Sequence, residues 1–434
     1  MARRKSALPD VHLNLNVRGL TQSATLAINE RSAQLMAEGR HVYRLGLGQS
    51  PFPVPQPVVE ELRANAHQKD YLPVRGLLGL REAVAAYHRR LHGIERSASD
   101  VLIGPGSKEL MFILQLVYYG DLVIPTPSWV SYAPQARIVG RHIHWVATVR
   151  ENDWRLMPED LDKLCHGDPS RPRVVILNYP SNPTGDSYTV EELKALAKIA
   201  RKYKVILVSD EIYGETHNRG QHVSIARFYP EGTIISGGLS KWCGAGGWRL
   251  GTFVFPQNLR WLLEAMATVS SETFTSTSAP IQHAAIRAFE GGWEMEQYLA
   301  QSRRVLRALG RSVWKRLQRA GAIVSEPVGG FYLFPDFSPL RENLAARGVM
   351  DSPTLCERLL LETGVATLPG TEFGRPPEEL TLRLAYVDFD GSRALTAAQQ
   401  RPMTEDLDRA FLELYCPNVV HGIEAMARWV TASA

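Results

Sequence analysis

Between residues 101 and 256, seven short apolar runs recur with helix-like patterns between them: VLI (101–103), LVIP (122–125), HIHWV (142–146), VVILN (174–178), VILVSD (205–210), TIIS (233–236) and GTFVF (251–255). Most are apolar at nearly every position, whereas a strand with one wet face alternates apolar and polar residues. Such runs belong in a sheet covered by helices on both faces, and their alternation with helices makes that sheet largely parallel, with GTFVF as the antiparallel exception. The expected fold class is therefore α/β.

The flanking segments read differently. Residues 1–20 are polar and irregular, an arm; a helix is expected over 24–39, a strand over 42–45, a helix opening at Pro57 and an amphipathic helix over 80–91. A long amphipathic helix over 294–319 leads to the strand-like runs AIVSEPVGGFYLFPDF, VATLPG and LTLRLAY, with a helix over 353–363 among them and a last helical stretch over 405–432, interrupted near Pro417. At 434 residues the chain is long enough for two domains. The expected division is 1–56 as an arm and part of a small α+β domain, 57–300 as the large domain, and 301–434 as the rest of the small one.

Charge and cysteine usage narrow the function classes. A formal net charge of +4 is small for this length and gives no case for nucleic acid or an anionic membrane. No apolar run approaches the roughly 18 residues that cross a bilayer, and no apolar segment follows the basic MARRKS, so neither a membrane anchor nor a secretory signal is expected. The four cysteines, Cys165, Cys243, Cys356 and Cys416, lack any CxxC spacing, and a reducing cytosol is the simplest setting.

The stretch 236–251, SGGLSKWCGAGGWRLG, concentrates the chemistry. Lys241 follows a short apolar strand and a glycine pair, with Ser240 beside it and Arg249 eight residues on. A lysine whose pKa is lowered by desolvation and a nearby cation forms a Schiff base with an aldehyde, and a forked arginine suits a doubly charged phosphate ester. Pyridoxal phosphate carries both groups. An ordinary surface lysine in a glycine-rich turn is the plain alternative for the motif alone.

GLSKWCGAGGWRLG resembles the lysine-site signature of class I/II aminotransferases, the fold-type I family of pyridoxal phosphate enzymes, and further segments resemble that family in order from about residue 24 to residue 383. In GPGSKEL, the backbone N–H groups of Ser107 and Lys108 open a helix, which is a capped helix start or an anion site; the resemblance implies the cofactor phosphate. In TPSWVSY, Trp129 by itself would be core, and the resemblance implies an indole stacked on the cofactor ring. NYPSNPTG is a proline-rich turn in which the family pattern gives Asn182 a hydrogen bond to the ring's 3′ oxygen.

In SDEIYGE, Asp210 ends an apolar run, where a carboxylate is costly unless paired. The resemblance pairs it with a protonated ring nitrogen and has Tyr213 share the 3′ oxygen; an N-cap followed by a core tyrosine is the alternative. Ser240 and Arg249 would bind phosphate, the more so because some members carry a serine where this chain has Gly238. Arg383 in LTLRLAY would pair with an internal acid in a structural role. The resemblance makes it the clamp for a substrate α-carboxylate, helped by Asn182 and by Gly48, whose lack of a side chain lets the backbone approach the ligand. Tyr71 reads alone as a half-buried packing residue, and the family pattern sends it across a homodimer interface to the neighbouring phosphate.

The resemblance thus implies an aminotransferase that exchanges an amino group between an L-amino acid and a 2-oxo acid, with Lys241 as the catalytic residue. A carbon–sulfur β-lyase on the same scaffold is an alternative. A ligand-sensing domain of a transcription regulator is another, against which residues 1–40 are too short for a DNA-binding domain. The side-chain pocket is expected among Gln49, Ser50, Phe52 and Phe331, with the amino donor left open.

Overall fold

In the computed structural model, which describes residues 12–433, the expected runs are all strands of one sheet: β1 Val101–Gly104, β2 Asp121–Thr126, β3 Ile143–Ala147, β4 Arg173–Asn178, β5 Ile206–Asp210, β6 Thr233–Gly238 and β7 Gly251–Val254. Their spatial order is β1-β7-β6-β5-β4-β2-β3. From β6 to β3 neighbours pair in parallel, and β7 runs antiparallel to both β6 and β1, so the exception falls on the run expected to be one.

Successive side chains on a strand point to opposite faces, and here both faces are dry. Leu122, Ile124, Val174, Ile176 and Val208 pack with Leu110 and Leu114 of helix Ser107–Val117 and with Leu262 and Met266 of helix Arg260–Ser271. The intervening Val123, Val175, Leu177 and Leu207 face Leu161 of helix Pro158–His166 and Leu193 and Leu196 of helix Val190–Lys202. Only β3, at the sheet's edge, is wet along much of its length, with Trp145 44% exposed; its HIHWV run is also the most polar of the set.

Both chain ends build the smaller domain. Tyr43–Arg44 pairs in parallel with Val365–Ala366, while Leu368–Pro369, Leu382–Ala385 and Tyr332–Leu333 make a three-stranded antiparallel sheet. Leu45 from the N-terminal part shares a core with Leu309, Leu333, Leu359, Leu384 and Met426. The 27-residue helix Trp293–Arg319 joins the domains: Met295 near its start packs in the large domain, and Leu309 and Val313 pack in the small one. The boundary expected at 300/301 falls inside this helix. Of the arm expected over 1–20, residues 1–11 lie outside the described residues. All four cysteines are buried and unpaired, and no helix among the described residues is long and apolar enough to cross a membrane.

Leu207 is fully buried at the centre of β5. Leu207→Ala is expected to lower the unfolding free energy by about 2–5 kcal/mol, through lost burial and the cavity left behind, as read from the denaturant midpoint.

Candidate active site

A parallel sheet releases its chain at one edge, and the polar residues singled out from the sequence gather there. Ser107 and Lys108 follow β1, Trp129 follows β2, Asn182 follows β4, Asp210 ends β5, and Ser240 and Lys241 follow β6. These residues line a cavity of about 460 Å³ together with Gly48, Tyr213, Arg249 and Arg383. Among the described residues, four cations, Lys108, Lys241, Arg249 and Arg383, and a single carboxylate, Asp210, face this space. Such an excess of positive charge suits a ligand with several anionic groups.

Asp210 is 4% exposed. Its Oδ2 accepts a hydrogen bond from Tyr132 Oη at 2.5 Å and its Oδ1 one from Ser236 Oγ at 3.3 Å. Burial pushes its pKa up to about 6, with the donors of Tyr132, Ile212 and Ser236 offsetting part of the effect. Lys241 Nζ donates to the Gly48 carbonyl at 2.8 Å and lies 5.7 Å from the centre of the Tyr213 ring. Burial first, then the charges of Arg383 and Arg249, lower its pKa to about 8.

Arg383, 1% exposed, is held from both domains. It donates to Asn182 Oδ1 at 3.1 Å and to the Gly46 carbonyl, and its guanidinium lies 4.8 Å from the Tyr332 ring centre and 5.1 Å from that of Phe373. Its buried Nε has no hydrogen-bond partner. At the opposite wall the helix Ser107–Val117 begins after Gly106, whose φ is 93°. A side chain at Gly106 would strike the Arg249 guanidinium, so the glycine lets the arginine lie against the helix start. Arg249 itself adopts φ 54°, uncommon for a residue with a side chain. First-turn amides lack intrahelical partners, and the neighbouring guanidinium makes this corner an anion cradle.

Gly48 is a second required glycine, because a Cβ there would collide with the Tyr332 hydroxyl. That hydroxyl is 2.8 Å from the hydroxyl of Tyr213, whose pKa rises well above its usual value through burial and this neighbour.

Tyr71 stands apart from the cavity and is 90% exposed, rather than half-buried as packing alone would make it. Among the four residues expected to read a substrate side chain, Gln49 lines the cavity and Ser50, Phe52 and Phe331 do not. Phe52 and Phe331 belong to the small-domain core, and Ser50 is buried. Tyr332, which follows Phe331 and opens the strand Tyr332–Leu333, is the one that faces the space. Sequence reasoning also passed over Tyr132, Ser236 and Asn178. Asn178 Oδ1 accepts from the Asn182 N–H at 2.7 Å and its Nδ2 donates to the Asp210 carbonyl at 3.0 Å, tying two cavity segments together. Asn178 ends an apolar run as Asp210 does, which was a readable signal. Ser23 and Thr25, at the start of helix Ala24–Ala37, reach the cavity with no sequence signal.

The family profile for aminotransferase class I and II matches residues 40–393. The chain is 35% identical over 379 residues to an aspartate aminotransferase of Geobacillus stearothermophilus, covering 85% of this chain and 93% of that one. It is 32% identical over 366 residues to an aspartate/prephenate aminotransferase of Thermus thermophilus, covering 83% and 91%. The structure of an aspartate aminotransferase from Thermus thermophilus with maleate superposes with a TM-score of 0.82 at 29% identity, covering 96% of this chain and all of that one.

A carboxyl whose folded pKa is raised takes up a proton more readily than in the unfolded chain, so its contribution to stability falls as pH rises through the window from about 4 to about 6. In ligand-free protein, Asp210→Asn is expected to be more stable than the parent above pH 6, by on the order of 2–3 kcal/mol at most, with the difference vanishing below pH 4. Denaturant titrations at pH 4 and pH 7.5 read it.

Proposed function

The chain belongs to the aminotransferase class I and II family, and we propose that it exchanges an amino group between an L-amino acid and a 2-oxo acid, with pyridoxal 5′-phosphate as cofactor and L-aspartate as amino donor. The observation that carries this reading is the set of four cations around one buried carboxylate. Bound there, the cofactor supplies an aldehyde for amines to condense with and a ring that takes up electrons when a bond at the substrate Cα breaks.

The residues fit that group. Asp210 is a buried carboxylate with hydroxyl and amide donors, and a protonated ring nitrogen is the cation that would keep it ionised. Trp129 would stack on the ring, and Asn182 and Tyr213 would donate to its 3′ oxygen. The backbone of Ser107 and Lys108, the Ser240 hydroxyl and the Arg249 fork would hold the phosphate, and Tyr71 of a second copy of the chain would add its hydroxyl, in keeping with its exposure here. Lys241, its pKa lowered to about 8, would hold the cofactor through its amine and then move a proton to and from the substrate Cα. Arg383, with one buried donor still free, would take the α-carboxylate, with Gly48 letting the backbone come close.

Once phosphate, α-carboxylate and aldehyde are matched to Arg249, Arg383 and Lys241, the Lys108 ammonium is left over. It lies 5.3 Å from the centre of the Trp129 ring, in the cavity with the hydroxyl residues Ser23 and Thr25. A second carboxylate on the substrate is the group that answers it, which agrees with the names of the relatives.

A half-reaction screen, following the cofactor absorbance as each amino acid is added, tests the reading; aspartate is expected to convert fastest. Release of pyruvate and ammonia without amino transfer would favour elimination instead. Lys241→Ala is expected to lose multiple turnover while keeping the parent's circular dichroism, and normal turnover in that variant would sink the assignment. Lys108→Met is expected to raise KM for aspartate about 10–100-fold, the worth of one charge-assisted hydrogen bond, and to leave KM for alanine nearly unchanged.

A further inference from the structure

The small domain grips the large one beside the cavity through residues 373–375. The Phe373 carbonyl accepts from the Ser128 N–H at 3.0 Å, one residue before Trp129, while the Phe373 ring packs against the Arg383 guanidinium at 5.1 Å. Two residues on, the Arg375 side chain is 8% exposed and spends every donor group. Nη1 reaches the Thr148 carbonyl at 3.1 Å and the Thr126 carbonyl and hydroxyl at 3.3 Å each. Nε and Nη2 fork onto Glu379 at 2.8 and 2.7 Å. Thr126 ends β2, and the loop to Trp129 starts from it.

A second observation marks the same contact. The guanidinium of Arg375 lies 4.6 Å from the centre of the Trp154 ring, which meets Phe334 of the small domain edge-on at 5.9 Å. Asp153 and Trp154 hold φ of 50° and 59°, a left-handed conformation unfavourable for consecutive residues with side chains, so their surroundings must impose it. The left-handed pair ends with the Trp154 indole beside Arg375.

We propose that Arg375 is a positioning residue for the transamination proposed above: it locks the loop carrying Trp129 to the strand carrying Arg383, so that the stacking plane and the carboxylate fork keep one separation. The inference rests on that functional reading. A substrate held at its carboxylate by one domain and at the reacting end by the other reacts only while the two stay in register, and about 1 Å of drift can cost on the order of a hundredfold. Lysine would not serve, because a point ammonium cannot span a carboxylate fork and two carbonyls at once.

The test uses the holoenzyme and three readouts: KM and kcat for amino acid and oxo acid, the dissociation constant of an unreactive dicarboxylate such as succinate, and the circular dichroism of the bound cofactor, which senses the stacked indole. Arg375→Met is expected to lower kcat/KM for both substrates at least tenfold, with a fall in kcat as well as a rise in KM, to raise the succinate dissociation constant about tenfold, and to weaken the cofactor dichroism. Arg375→Lys should recover only part of this. Glu379→Gln, which leaves the arginine in place without its charged partner, should shift the same readouts in the same direction by less, and it decides the matter if Arg375→Met does not fold. Unchanged KM, succinate affinity and dichroism in the folded variants, even with a lowered melting temperature, would overturn the proposal, since the arginine would then be a structural tie only. Failure of the unmutated protein to take up the cofactor or transaminate would remove the functional reading itself, and is seen before any variant is made.

Discussion

A carboxylate taken out of water at the end of an apolar strand needs a proton or a cation, and Asp210 has hydroxyl and amide donors but, among the described residues, no cation in contact. Its neighbour shows the contrast. Glu211 is equally buried, yet it receives His222 Nε2 at 2.9 Å and the Ser209 and Ser224 hydroxyls at 2.7 and 2.5 Å. Burial alone would raise its pKa, but the histidines and Ser224 outweigh burial and bring it down to about 2. Adjacent residues point to opposite sides of the sheet, so one acid faces the cavity and the other a smaller space of about 270 Å³ among Tyr87, His92 and His222. The acid behind the sheet thus has an imidazole and two hydroxyls of the chain as partners, and the one in front has hydroxyl and amide donors only.

The same logic holds for the cations. Burial and the charges of Arg383 and Arg249 depress the charged form of Lys241, and Arg383 keeps a buried donor without a partner. A cavity built from unmet charges destabilises the free protein, and any ligand that meets them returns that free energy on binding. The site is therefore a strained electrostatic arrangement held by rigid surroundings. Those surroundings come from both domains: the Gly48 carbonyl reaches Lys241 from the N-terminal segment, Tyr332 and Arg383 come from the small sheet, and the segment 373–375 closes against the loop before Trp129.

Most of the architecture was legible in the order of residues. The seven strand runs stand where expected because a strand dry on both faces must be apolar throughout, which few other segments imitate. The polar residues that interrupt those runs at their ends, Asp210 above all, were legible for the converse reason, since an ionisable group there is costly without a task. Less legible were contacts that depend on which way a side chain leaves its strand in a short, irregular element. Tyr332 opens a two-residue strand directly after Phe331, and no pattern that short tells which of the two aromatic residues faces the cavity. The helix Trp293–Arg319 runs through an expected boundary because one amphipathic stripe can serve two cores in turn.

Local periodicity in the chain accounts for the parallel sheet and its antiparallel exception, and the cost of burying charge picks out Asp210, Lys241 and Arg383 as groups in need of a partner. It took the folded chain to bring four cations and, among the described residues, a single carboxylate into one space, to set Tyr132 on Asp210 across 78 positions of chain, and to end Arg375 on carbonyls of the other domain. Such contacts join residues far apart in the chain, and no local pattern carries the distance between them.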